Sequence, residues 1–157
     1  MKIKLTKNFL LTSVNELTTS DKILARVINR FGPPPMWKRK PGFSTLIKII
    51  LEQQVSLASA ESLFNRLDSK VPEINPVHIE KLSVNGLRKL GFTHQKANYC
   101  HGLAEIILSR TINLERISRM DDTEAYNSLL KIKGVRRGSM DVEYLSAYGT
   151  QAPGYLA

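Results

Sequence analysis

The chain has 157 residues, 42% of them hydrophobic and 24% charged, a globular balance that excludes both a disordered chain and a domain pair with two large cores. Its 23 Lys and Arg against 14 Asp and Glu leave a net charge of +9, which favours a polyanionic partner, nucleic acid foremost. The single cysteine, Cys100, excludes a disulfide framework and a four-thiolate iron–sulfur cluster, and a cytoplasmic, reducing setting is expected.

The first 20 residues read as an N-terminal segment. Their basic head is followed by a short apolar run broken by Thr and Ser, without a signal-peptide core. The apolar run at 46–51 contains Lys48 and is too short to span a bilayer, so no membrane partner is expected. Ile23, Leu24, Val27, Ile28 and Phe31 are spaced as one face of a helix opened by Ser20 or Asp21 and stopped by Gly32. Pro33-Pro34-Pro35 then forces an extended segment into the basic loop Trp37-Lys38-Arg39-Lys40-Pro41.

From Phe43 the stripe Leu46, Ile47, Ile50, Leu51 predicts a mostly buried helix ending near Gln53 and Gln54. Ser56 caps the next, with Leu57, Ala60, Leu63, Phe64 and Leu67 expected inward. Pro72 and Pro76 bracket a loop. Two short helices follow, around Ile79 and Leu82 and around Leu87 and Leu90, the second stopped by Gly91. A longer helix over about 93–108 buries Ala97, Cys100, Ala104 and Ile107 or their neighbours. Acidic residues at Asp121, Asp122 and Glu124 complement a helix start, with Tyr126, Leu129 and Leu130 as its inner face. After a turn at Lys133-Gly134-Val135, Ser139 caps a last helix through Val142, Leu145 and Tyr148. No segment alternates polar and apolar residues as a sheet requires, so the fold class is all-α, with seven to nine short helices.

Residues 129–139 join an apolar helix end, a tight glycine turn and a capped second helix, a helix–hairpin–helix pattern. A turn presenting backbone N–H groups beside a helix N-terminus suits phosphate, and Lys131, Lys133, Arg136 and Arg137 add attraction. An αα corner with a solvated basic face would carry the same residues.

Order along the chain goes further. Trp37, then Gly42-Phe43-Ser44-Thr45-Leu46-Ile47, then Glu52-Gln53-Gln54-Val55-Ser56 with Ala60, resembles the opening of the helix–hairpin–helix (HhH-GPD) DNA glycosylases. Leu87-Arg88-Lys89-Leu90-Gly91-Phe92-Thr93 with Lys96-Ala97, Leu103-Ala104, Met120-Asp121-Asp122 and Lys131-Ile132-Lys133-Gly134-Val135 continue it in register. Within the superfamily the chain looks most like the bacterial 3-methyladenine glycosylase II group.

The resemblance implies one glycosylase-like domain over residues 21–157, short of the family's C-terminal helices. It implies a monomer that binds double-stranded DNA in the nucleoid, flips an alkylated nucleotide and hydrolyses its N-glycosidic bond in base excision repair. Lys133, Gly134, Val135, Arg136, Arg137, Gly138 and Ser139 would carry the DNA anchor. Gln53 and Gln54 would probe the stack or face the flipped base, or else bond neighbouring backbone as a polar helix end. Trp37 would stack on a base or fill the core.

Four departures accompany the resemblance. Arg136 replaces the hairpin's second glycine. Gly138 stands where members that cut the strand have lysine, so no Schiff-base nucleophile is expected. Met140 replaces a small alanine. At the position of the essential aspartate, which stabilises positive charge on the departing sugar, a gapped alignment places Tyr155, neutral at pH 7. A catalytic residue is therefore not assigned, and three readings stay open: a glycosylase, a catalytically silent DNA-binding module, and a truncated remnant. Glu52 reads as a helix-end or solvent-facing carboxylate and Asp141 as a first-turn dipole partner. His78, His94 and His101 show no metal spacing with Cys100, so neither metal nor cofactor is expected.

Overall fold

The computed structural model describes residues 6–36 and 39–135. Its eight described helices are α1 Lys7–Ser20, α2 Lys22–Phe31, α3 Phe43–Glu52, α4 Leu57–Lys70, α5 Pro76–Lys89, α6 His94–Leu108, α7 Leu114–Arg119 and α8 Asp122–Leu129. No strand occurs among the described residues. None of these helices is long and apolar enough to cross a membrane.

Local chemistry sets most of the helix starts. A polar side chain accepts from an amide of the first turn at Asp21 for α2, Ser56 for α4, Thr93 for α6 and Asp121 for α8. Asn75 does the same for α5, with Pro76 just inside the start. Asp21, rather than Ser20, is thus the cap of α2. The two short helices expected after the proline loop are the two halves of α5, separated at Ser83, whose φ of 59° and ψ of 168° are not helical.

The core is built around α3. Ile47, Ile50 and Leu51 are fully buried, Leu46 and Ile49 nearly so, and α3 packs on α4 and α6. On α6 the inner face is Ala97, Cys100, Leu103 and Ala104, and α5 lies along the same helix with Ile79 and Leu87. Ala125, Tyr126 and Leu129 of α8 and then Ile132 and Val135 close the cluster.

One expectation of burial is corrected. Leu57 is 72% exposed, because the first residue of α4 precedes the turn that meets α3. The apolar face of α2 is also open, with Ile23 71% and Phe31 73% exposed and Leu24 and Val27 exposed beside them. Periodicity predicted this helix correctly, but α2 packs mainly on α1, which presents only Val14 as a buried residue. The double change Ile23→Ser, Phe31→Ser should therefore shift stability by no more than about 0.5 kcal/mol, the scale of surface substitutions, while lowering hydrophobic-dye binding. A loss beyond about 2 kcal/mol in thermal unfolding would show this face covered in solution.

Candidate nucleic-acid interface

The interface forms where three distant segments meet: the loop leaving α3, the glycine turn after α8, and the first half of α6. The loop begins at Gln53, whose extended backbone ends α3, and turns at Gln54, a non-glycine residue at φ 58°. Gln53 Nε2 donates a 2.7 Å hydrogen bond to the Gly134 carbonyl, across 81 residues of sequence. Gln53 thus bonds backbone, as a helix-end glutamine can, but the backbone belongs to the hairpin. Gln54 stays exposed at the tip of the loop.

The turn itself is constrained. Gly134 has φ +93°, a conformation that favours glycine, and it sits against the ring of Tyr99 from α6. Ile132 and Val135 point into the core, and the Val135 amide donates to the Ile132 carbonyl at 3.1 Å. Lys131 and Lys133 alternate with these buried residues and are exposed. They line, with Asn98, Tyr99 and Glu105, a groove of about 660 Å³ against α6. Alternation of anchored apolar residues with solvated lysines gives the turn a fixed shape and a cationic rim.

Charge is also organised at the C-terminal end of α3. Glu52 is no solvent-facing group: its side chain is 9% exposed and pairs with Arg39 at 2.8 Å. That ion pair ties the basic loop after the proline run to the helix end, and Thr45 Oγ1 donates to the Lys40 carbonyl just beyond. A carboxylate compensated in this way is poorly placed to stabilise charge on a sugar. Lys96, buried at the start of α6, donates from Nζ to the Leu51 carbonyl at 2.6 Å. Burial holds its ammonium below the usual lysine range, with Cys100 pulling the other way. Cys100 is fully buried and its thiol is pushed up to about 12 by desolvation, so it is protonated and inert.

Among the sequence-derived candidates, the structure brings together Gln53, Gln54, Lys133, Gly134 and Val135. Trp37, Arg136, Arg137, Gly138, Ser139, Met140, Asp141 and Tyr155 lie outside the described residues. His78 Nδ1 meets the Glu73 carbonyl and His101 lies 3.5 Å from Glu105. Among the described residues no three His, Cys, Asp or Glu side chains converge on a metal position. Arg39 and Tyr99 carry no signal of their own in the sequence, and Lys96 enters only within the family resemblance. For Lys96 a signal existed: one turn before Cys100, it is a charged residue on the buried face of α6.

An all-α domain whose basic glycine turn is bonded to an inter-helix glutamine loop belongs to the helix–hairpin–helix class. Residues 47–149 match the HhH-GPD superfamily of base excision DNA repair proteins, and the chain belongs to that superfamily. It is 26% identical over 141 residues to the alkylbase DNA glycosidase-like protein mag2 of Schizosaccharomyces pombe, covering 85% of this chain and 66% of that one. With DNA-3-methyladenine glycosylase 1 of the same organism it shares 25% identity over 127 residues, 77% of this chain and 55% of that protein. The chain thus spans less than two thirds of the length of these curated relatives. The solved structure of Schizosaccharomyces pombe 3-methyladenine DNA glycosylase (Mag1) in complex with abasic DNA has the same fold. Its TM-score is 0.76 at 23% identity, over 87% of this chain and 70% of that one.

Proposed function

We propose that this protein is a DNA-repair protein of the 3-methyladenine glycosylase type, acting as a monomer on double-stranded DNA in the nucleoid. The observation that carries the reading is the bond from Gln53 to Gly134, which sets a stack-probing loop and a phosphate-gripping turn at one fixed spacing. Lys131 and Lys133, with Arg136 and Arg137 beyond them in sequence, attract the backbone, and the loop enters beside the nucleotide whose phosphates the turn holds. Turning out an alkylated nucleotide takes a few kcal/mol of stacking, less than for an intact base, and that difference contributes selectivity. In the hydrolysis a water attacks the anomeric carbon, the N-glycosidic bond breaks and the base leaves. The two relatives named as alkylbase or 3-methyladenine enzymes support alkylated purines as the substrate class.

A second reading, a catalytically silent DNA-binding module, is favoured by one observation. Tyr155 stands where the carboxylate is expected, and the alternative carboxylate Glu52, next to Gln53, is held by Arg39. Base release from alkylated duplex DNA, measured for the native chain and for Tyr155→Asp, separates the readings. Release by the native chain establishes a glycosylase that uses another carboxylate. Release by Tyr155→Asp alone establishes a silenced site, with a gain of about 100-fold or more, the scale on which electrostatic groups act in catalysis. Absence of duplex binding by either chain overturns both readings.

A further inference from the structure

We propose that Lys96 is a positioning residue that aims the Gln53–Gln54 loop at DNA, an inference resting on the DNA-binding function above. Seven of the eight described helices close with a backbone N–H from the C-cap residue bonded back to the helix. Among the described residues α3 is the exception: its C-cap, Gln53, makes no such bond. At the same helix end the Leu51 carbonyl accepts from Lys96 Nζ at 2.6 Å, from a helix 45 residues on. A cation there also meets the negative end of the α3 dipole.

Core packing alone does not account for a lysine at this place. Lys96 is 9% exposed, it has no acidic partner among the described residues, and its neighbour Cys100 is protonated. A buried ammonium with a single carbonyl acceptor is a poor stabiliser compared with an apolar residue of similar length. What the lysine does secure is the exit direction of the chain at the end of α3. By holding Leu51 it lets Gln53 leave extended, reach Gly134, and hand on to Gln54 in its left-handed conformation.

One turn along α6, Tyr99 supports Gly134 itself. The same helix therefore fixes both arms of the interface, the loop through Lys96 and the turn through Tyr99. Gln54, the exposed tip, has its position set by this bracket rather than by contacts of its own.

The test is Lys96→Met, which keeps length and removes the charge. Loss of the buried ammonium and loss of the carbonyl's donor oppose each other, so the melting temperature should stay within about 5 °C of the native value. Hydrogen exchange over residues 50–55 should rise about tenfold while the amides of α6 keep their protection. Low-salt affinity for intact duplex, set by the turn, should change by less than about twofold. The preference for a duplex carrying an abasic-site analogue should fall about tenfold, and adding Gln54→Ala should lower it little further.

An unfolded variant, or unchanged exchange over 50–55, overturns the assignment whether or not DNA binds. Normal exchange behaviour in a native chain that ignores duplex DNA refutes the functional reading instead. If the native chain binds and the variant keeps its full abasic-site preference, Lys96 is structural only.

Discussion

Gly134→Ala should destabilise the protein by about 3 kcal/mol, as the sum of left-handed backbone strain of about 1 kcal/mol and overpacking of about 1–3 kcal/mol. At φ +93° an alanine is strained before any neighbour is considered, and its Cβ would lie 2.5 Å from Tyr99 Cγ and 2.8 Å from Tyr99 Cβ. The Tyr99 Cβ is fixed to α6 and cannot swing away, so either the turn or the helix must move. Moving the turn stretches the Gln53 bond to the Gly134 carbonyl and detaches the loop from the hairpin. Gly91→Ala is the control. It has φ +98°, but its Cβ would meet the end of the Arg66 side chain at 2.8 Å, and a guanidinium can rotate off. Thermal unfolding should place Gly91→Ala about 1 kcal/mol below the native chain and Gly134→Ala well below both. Equal losses would mean that Tyr99 does not support the turn.

Affinity for duplex DNA should fall roughly 100-fold between 50 and 200 mM salt. Four basic residues between 131 and 137 engaging phosphates give a slope of about −3.6 in log affinity against log salt, by the counterion-release relation of about −0.9 per phosphate on B-DNA. The exposed placement of Lys131 and Lys133 on either side of buried Ile132 supports counting both, since neither is engaged in an ion pair among the described residues. Replacing both with Gln should reduce the slope magnitude by about 1.8 and weaken binding across sequences alike. A fluorescence-anisotropy titration at several salt concentrations reads both effects. A slope unchanged by the double substitution would place the DNA on another face of the molecule, and an affinity indifferent to salt would remove nucleic acid from the account altogether.

The parts of the fold that could be read from sequence are those whose physics is local. Ser56, Thr93 and Asp121 each accept from an amide three residues on, so a cap is visible in a window of four residues. The stripes of α3 and α6 are visible because a helix repeats its inner face every turn. Where those signals are weak an element is not legible. The helix α1, KNFLLTSVNELTTS, dilutes its apolar residues with Thr and Ser, and α7 has six residues, too few to show a period. An amphipathic pattern also carries no information on what covers it: Leu57, expected inward, is exposed, and so is the apolar face of α2 at Ile23 and Phe31.

Of the interface, the sequence by itself determined the residue types: a cationic turn with a glycine at its bend, a pair of glutamines at a helix end, and the absence of an aspartate at position 155. Only the tertiary structure decided how they are joined. The bond from Gln53 to Gly134, the seat of Lys96 under Leu51 and the pairing of Arg39 with Glu52 each link segments of different elements. Such links depend on how helices cross, and crossing is set by the packing of whole buried faces. No window of neighbouring residues contains that information.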